Sequence, residues 1–253
     1  MVGLSELVAY TDRLLSVESF NDYCPNGLQV EGRADVKTLI GGVTACQALL
    51  DAAIEHQADA VLVHHGYFWK GENPCITGMK QRRLATLLRH EISLLAYHLP
   101  LDTHPELGNN VQLARVLDLT ITGTAGGNQR TPGLVMLGEL PDPLPGHAFA
   151  ARLAARLSRT PLHIAGHDAL IKRLAWCTGG AQSYIEQALD AGADAFLTGE
   201  ASEQTVHFAR ENRLHFFAAG HHATERYGVE ALGTHLAEHF GLNFIFVEID
   251  NPV

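Results

Sequence analysis

Apolar positions fall into runs of two alternating kinds. Leu4, Leu7, Val8, Leu14 and Leu15 share one helical face, which predicts an amphipathic helix at the start of the chain. Val36–Val43 is a short apolar run holding Gly41-Gly42, the size of a buried strand. Gln47–His56 returns to helical spacing. Ala60-Val61-Leu62-Val63 predicts a second strand, ending at His64-His65-Gly66. Met79–His90 predicts a helix and Ile92–Tyr97 a third strand. Strands alternating with helices define an α/β fold with a mainly parallel sheet.

The order then recurs. Leu170–Cys177 predicts a strand ending at Gly179-Gly180, and Ser183–Ala191 a helix. Ala195-Phe196-Leu197 predicts a strand ending at Gly199-Glu200, and Thr205–Glu211 a helix. Leu214–Ala218 predicts a last strand, ending at Gly220-His221-His222. Ala58-Asp59-Ala60-Val61-Leu62 overlies Ala193-Asp194-Ala195-Phe196-Leu197 at an offset of 135 residues. The same offset pairs Leu39 with Leu174, Gln47 with Gln182 and Ala53 with Ala188. At an offset of 123, Ala96 pairs with Ala219, His98 with His221 and Asp102 with Glu225. We expect two intertwined, pseudo-symmetric β-α-β-α-β repeats with mixed, mainly parallel sheets. The lobes span residues 1–125 and 126–253. Asp22–Gly27 is dense in turn residues and reads as a loop. Between the repeats, Gly123–Gly127 predicts a loop, Gly133–Leu140 a strand, Pro141–Pro145 a rigid turn and His147–Arg159 a helix.

Composition narrows the function classes. The chain has 253 residues, 46% of them hydrophobic, enough to bury a core without staples. Its formal net charge of −10 argues against nucleic acid as the main partner, because phosphate contacts need clustered cations. Cys24, Cys46, Cys75 and Cys177 form no CxxC pair and suit buried thiols in a reducing cytoplasm. The N-terminus lacks a signal-peptide pattern, and no apolar run reaches the roughly 20 residues of a membrane span. A cytoplasmic protein with no membrane contact is the expectation.

Fifteen histidines are the unusual number. Four clusters fall at predicted strand ends: His64-His65, His98 with Asp102, Glu200, and His221-His222 with Glu225. Ligand sites of parallel α/β sheets lie at the carboxyl ends of strands. Imidazoles and carboxylates gathered there suit a divalent transition metal such as zinc, iron, manganese or nickel. His221 and Glu225 are four apart and share a helical face. His64 and His65 are adjacent and diverge, so two neighbouring ions serve them better than one. A hydrogen-bonded histidine pair in a core is the ordinary alternative. His56, His90, His147, His163, His207 and His239 have no evident partners and read as structural or solvated.

Five segments carry a family resemblance. They are Asp22-Tyr23-Cys24-Pro25-Asn26-Gly27-Leu28-Gln29-Val30, Val63-His64-His65-Gly66, His98-Leu99-Pro100-Leu101-Asp102, Leu197-Thr198-Gly199-Glu200 and Gly220-His221-His222-Ala223-Thr224-Glu225. Together they resemble the Nif-three-like family, often labelled GTP cyclohydrolase I type 2 homologues. The resemblance implies two divalent metal ions per subunit, held between the lobes, and a toroidal homohexamer. It implies His65 and Asp102 on one ion, His64 and His221 on the other, and Glu225 bridging them. His98 and Glu200 would be pocket residues able to move protons, and His222 would support the ligands. A metal-dependent hydrolase of a small substrate follows, with purine ring opening of GTP as the family label suggests. The alternative is a non-catalytic metal-binding or regulatory ring protein.

Overall fold

A computed structural model describes residues 1–126 and 133–253. In chain order its elements are β1 (Val2–Gly3), α1 (Leu4–Leu14), β2 (Gly27–Val30), β3 (Asp35–Val36), β4 (Thr38–Thr44), α2 (Gln47–Glu55), β5 (Ala60–His65), α3 (Gly78–His90), β6 (Ser93–Ala96) and α4 (Leu99–Asp102). There follow α5 (Asn109–Val116), β7 (Thr120–Ala125), β8 (Val135–Leu144), α6 (Gly146–Leu157), β9 (Leu162–Ile164) and β10 (Ile171–Trp176). The last are α7 (Ile185–Asp190), β11 (Ala195–Thr198), α8 (Glu203–Glu211), β12 (His215–Ala218), α9 (His221–Phe240) and β13 (Asn243–Phe246). The chain forms two compact units. The first is Met1–Gly108 with Gly228–Asp250, and the second is Asn109–Tyr227 with Asn251–Val253.

The first unit is built on a five-stranded sheet in the order β13-β4-β5-β6-β2. All its neighbours are parallel except the antiparallel edge β2. Successive side chains of a strand point to opposite faces, so each central strand feeds two cores. Leu39, Leu62 and Leu95 pack with Leu4 and Leu7 of α1 and with Val229, Leu232 and Leu236 of α9. Ile40, Val61 and Leu94 pack the other way, against Leu49 and Leu50 of α2 and Leu84 and Leu87 of α3. Both faces are therefore covered, which is why these strands are continuous apolar runs and not alternating ones.

The second unit repeats the plan around β7-β8-β10-β11-β12-β9. Here only the central β10-β11-β12 are parallel, and β7, β8 and β9 run antiparallel to their neighbours. Mainly parallel pairing thus describes the first sheet, while the second is mixed. Leu174, Trp176, Leu197 and Phe217 pack with Phe149 and Leu153 of α6. Ala175, Phe196 and Phe216 pack with Ile185 and Ala188 of α7.

One polar device occurs in both units at the repeat offset. Asp59 Oδ2 accepts the backbone N–H groups of Lys37 and Thr38 at 2.9 and 3.0 Å. Asp194 Oδ2 accepts those of Lys172 and Arg173 at 3.0 and 2.8 Å. Each carboxylate clasps the start of one strand to the start of the next, and the charged bonds hold its pKa below the ordinary value against the opposing effect of burial.

Several sequence expectations need correction. The rigid turn expected at Pro141–Pro145 is the continuation of β8 to Leu144. Pairing of β8 with β7 ends at Glu139, and its pairing with β10 is irregular beyond it, so the prolines meet no demand for a ladder donor. The loop expected at Gly123–Gly127 is strand as far as Ala125, and Gly127 lies outside the described residues. Three histidines read as partnerless have partners. His239 stacks on Tyr10 with ring centroids 4.2 Å apart, and His207 faces Glu203 across one helical turn. His163 Nε2 lies 3.0 Å from His215 Nδ1.

The last pair makes the fold acid-sensitive. His215 is only 2% exposed, and its neighbours His163 and His167 are also imidazoles. Burial, helped by His167 and His163, pushes the His215 pKa down to about 4. The unfolded chain therefore binds more protons between about pH 4 and the unperturbed value near 6.5. The neutral ring's contribution is complete above about pH 6.5 and is lost as pH falls towards 4. At the low end the loss is on the order of 2–3 kcal/mol. Thermal unfolding should show a clear fall in Tm across that window, and a His215→Phe protein should show a shallower one. Equal slopes for the two proteins would sink this account.

Candidate metal centre

In the first unit the candidate ligands collect at the carboxyl ends of β5 and β6. His64 and His65 end β5, and His64 is fully buried. Its Nδ1–H donates to the Tyr97 carbonyl at 2.9 Å, just past the end of β6. That bond fixes the tautomer and puts the lone pair on Nε2. His64 Nε2 stands 3.5 Å from Asp102 Oδ1. His65 shares a hydrogen bond with Thr44 Oγ1 through Nδ1, at 3.3 Å. One ligand atom each of His64, His65 and His98 lies within 4.8 Å of the others.

Asp102 reaches this place through α4. The His98 carbonyl accepts the N–H groups of Leu101 and Asp102, at 2.8 and 3.1 Å, so Asp102 lies one turn beyond His98. His98 is held by Asp22, which the sequence places in a turn-rich loop and in the first family segment but marks with no role of its own. Asp22 Oδ1 accepts from His98 Nδ1 at 2.7 Å and from the Tyr23 N–H at 2.6 Å. Asp22 Oδ2 accepts from Asn26 Nδ2 at 2.8 Å and from the Leu99 N–H at 2.9 Å. Burial disfavours this carboxylate's charge, yet its hydrogen bonds and the His98 imidazole lower its pKa. Cys24 joins Asp22 and His98 as a second candidate metal group. Burial and the Asp22 charge push the Cys24 thiol up to about 12, so it stays protonated and is a poor ligand.

The second unit carries the other candidates. His221 opens α9, and Glu225 follows one turn later. His221 Nε2 lies 3.0 Å from Glu225 Oε2, and His221 Nδ1 donates to Glu200 Oε1 at 2.7 Å. Burial opposes charge on this ring, but the bonds to Glu225 and Glu200 outweigh it and raise its pKa to about 9. Glu225 is 3% exposed. Beside it, Gly179 has a φ of +69°, and any Cβ there would collide with Glu225 Oε1. The turn after β10 therefore needs glycine both for its left-handed backbone and for the close approach. Its N–H donates to Thr224 Oγ1 at 3.0 Å, tying the turn to α9. His222 is buried, and its backbone N–H donates to the Val253 carbonyl at 3.0 Å.

The donors suit a divalent ion. Two ligands about 2.0–2.2 Å from one ion, at about 90–110°, sit about 3 Å apart. The His221–Glu225 separation of 3.0 Å is of that size. Thr44, Asp22 and the Tyr97 carbonyl were missed as supports, because each bond joins residues far apart in the chain. The one signal available was the polar run Asp22–Gly27 before a strand.

Fold and donors together define a two-unit α/β protein with clustered candidate metal ligands. The chain belongs to the Duf34/NIF3 (NGG1p interacting factor 3) family, which matches residues 2–252. A Pseudomonas aeruginosa protein named GTP cyclohydrolase 1 type 2 homolog is 60% identical over 253 residues, covering 99% of each chain. A Vibrio cholerae protein of the same name is 53% identical over 250 residues, covering 98% of each. A solved structure titled protein ybgI, of unknown function, matches with a TM-score of 0.95 at 52% identity, covering 100% of both chains. A solved structure from Thermus thermophilus matches with a TM-score of 0.88 at 35% identity, again over 100% of both. Among the described residues no helix is long and apolar enough to cross a membrane.

Proposed function

We propose that the chain is a dinuclear divalent-metal protein that hydrolyses a small substrate. His65 and Asp102 would hold one ion, His64 and His221 the other, and Glu225 would serve both. The observation that carries this reading is shared by three histidines. His64, His65 and His221 each engage an oxygen through Nδ1, which turns Nε2 to the ligand role. A core histidine needs no such agreement between the two units.

Two ions bound there would polarise a carbonyl or phosphoryl oxygen and lower the pKa of water. The chain's own residues do the rest. Asp22 holds the His98 ring by Nδ1, so Nε2 takes and returns a proton. Glu200 orients His221, and His222 supports the same helix turn. The names carried by the relatives make GTP, opened at the purine ring with release of formate, the first substrate to try. A homohexamer belongs to the same reading.

Elemental analysis of protein purified without chelator should find about two divalent ions per chain. Fewer than about 0.2 ions per chain, after growth with each candidate metal, would overturn the proposal. Metal-dependent release of formate from GTP, or turnover of a phosphoester panel, would establish hydrolysis. Full metal content without turnover would favour a non-catalytic metal-binding protein.

A further inference from the structure

The first unit places aromatic rings around His98 that the metal reading does not use. Trp69 stands nearly perpendicular to the His98 ring, with centroids 5.0 Å apart, and 5.9 Å from His65. Tyr23 stands 6.3 Å from His98 at 65° and is 59% exposed.

Both rings sit on loops that are held firmly. The Lys70 N–H donates to the Tyr23 carbonyl at 2.7 Å, which ties the two loops together. The Tyr67 N–H donates to Gln29 Oε1 at 2.7 Å, and its hydroxyl donates to the Ala45 carbonyl at 2.8 Å. Phe68, between Tyr67 and Trp69, has a φ of +65°, a costly conformation for a bulky residue. Such strain persists only where surrounding bonds over-determine it, and it clusters at ligand sites. The Trp69 indole N–H is directed to the Gly66 carbonyl at 3.3 Å. What Trp69 offers a ligand is therefore ring surface and not a donor.

We propose that Tyr23 and Trp69 form a stacking surface for a planar heteroaromatic ring of the substrate, and that they present it to His98. Flat, pre-organised aromatic faces select flat ligands, since stacking needs area and little else. The nearby histidines set which end of the ligand reacts, and in that respect the proposal rests on the metal-centre reading. A nucleobase fits this class, and a sugar phosphate or polyphosphate alone does not.

Tryptophan fluorescence tests this directly. The chain has two tryptophans, and Trp176 is fully buried in the second unit, so Trp69 is the accessible reporter. GTP and guanosine should quench the signal, and inorganic tripolyphosphate should not. Tyr23→Ala and Trp69→Leu should each weaken guanosine binding, measured by calorimetry, by about ten- to a hundredfold. Tripolyphosphate binding should change less than twofold in either variant. Metal content is measured on the same samples. Normal metal with unchanged guanosine affinity in both variants overturns the stacking surface. So does a wild-type protein that binds tripolyphosphate but no guanosine. Ring binding in a protein that holds no metal would instead overturn the metal reading and leave this one standing.

Discussion

A Glu225→Gln protein should fold normally and lose at least about 100-fold in metal affinity, falling from about two bound ions to fewer than one. Glutamine keeps the shape that fits beside Gly179 but removes the negative charge, so the variant separates ligand chemistry from packing. A buried anion is the donor that a divalent ion rewards most, and Glu225 is almost fully enclosed. Glu200→Gln should behave differently. Glu200 holds His221 by Nδ1, so its loss should cost only about 10–100-fold. His64→Ala supplies the decisive comparison. If His64 and Glu225 serve one centre, the double variant should lose little more metal than the worse single one. Additive losses, or two ions still bound at wild-type affinity in Glu225→Gln, would overturn the assignment of ligands.

Trp176→Ala should be the most damaging single change to stability, at about 3–5 kcal/mol, or roughly 10 °C in Tm for a chain of this size. The indole is 0% exposed, and its Nε1–H donates to the Asn110 carbonyl at 2.9 Å. It lies over Gly138 of β8, where a Cβ would come within 2.9 Å of the ring. Alanine would leave both a cavity and an orphaned carbonyl. Trp176→Phe should cost clearly less, because most of the ring volume remains. Asn110 also accepts the Thr178 N–H through Oδ1 at 3.0 Å, one residue before Gly179. The loss should therefore reach the turn beside Glu225 as well as the core. A Trp176→Ala protein within about 1 kcal/mol of wild type would show that this part of the second unit repacks freely.

The repeats were legible because their strands are buried on both faces and ended by glycine or histidine. The Asp59 and Asp194 clasps show that the offset of 135 marks a real structural correspondence. What escaped was structure without an apolar signature. β7 is Thr-Ile-Thr-Gly-Thr-Ala, largely exposed, and offers no buried alternation to read. β2 hides in a segment dominated by turn residues, since half of the Asp22–Val30 motif is loop and half is strand. α9 begins with two histidines and a glutamate and holds two glycines, so its helical period is diluted. Among the candidate residues, His64, His65, His98, Asp102, His221 and Glu225 were all marked by their place at or just after predicted strand ends. Asp22 and Trp69 were not, because their meaning lies in contacts with His98, 76 and 29 residues away.

The first sheet takes its final strand from the end of the chain. β13 pairs with β4, joining Asn243 to Thr38. On a ribosome this separation becomes a delay. At about 5–20 residues per second, β4 waits roughly tens of seconds for its partner, while the whole of residues 109–227 emerges in between. Through that time the edge of β4 is an open template for any other extended chain. Order of synthesis and order of completion thus part ways: all of the second unit but Asn251–Val253 is made before the first receives its last strand.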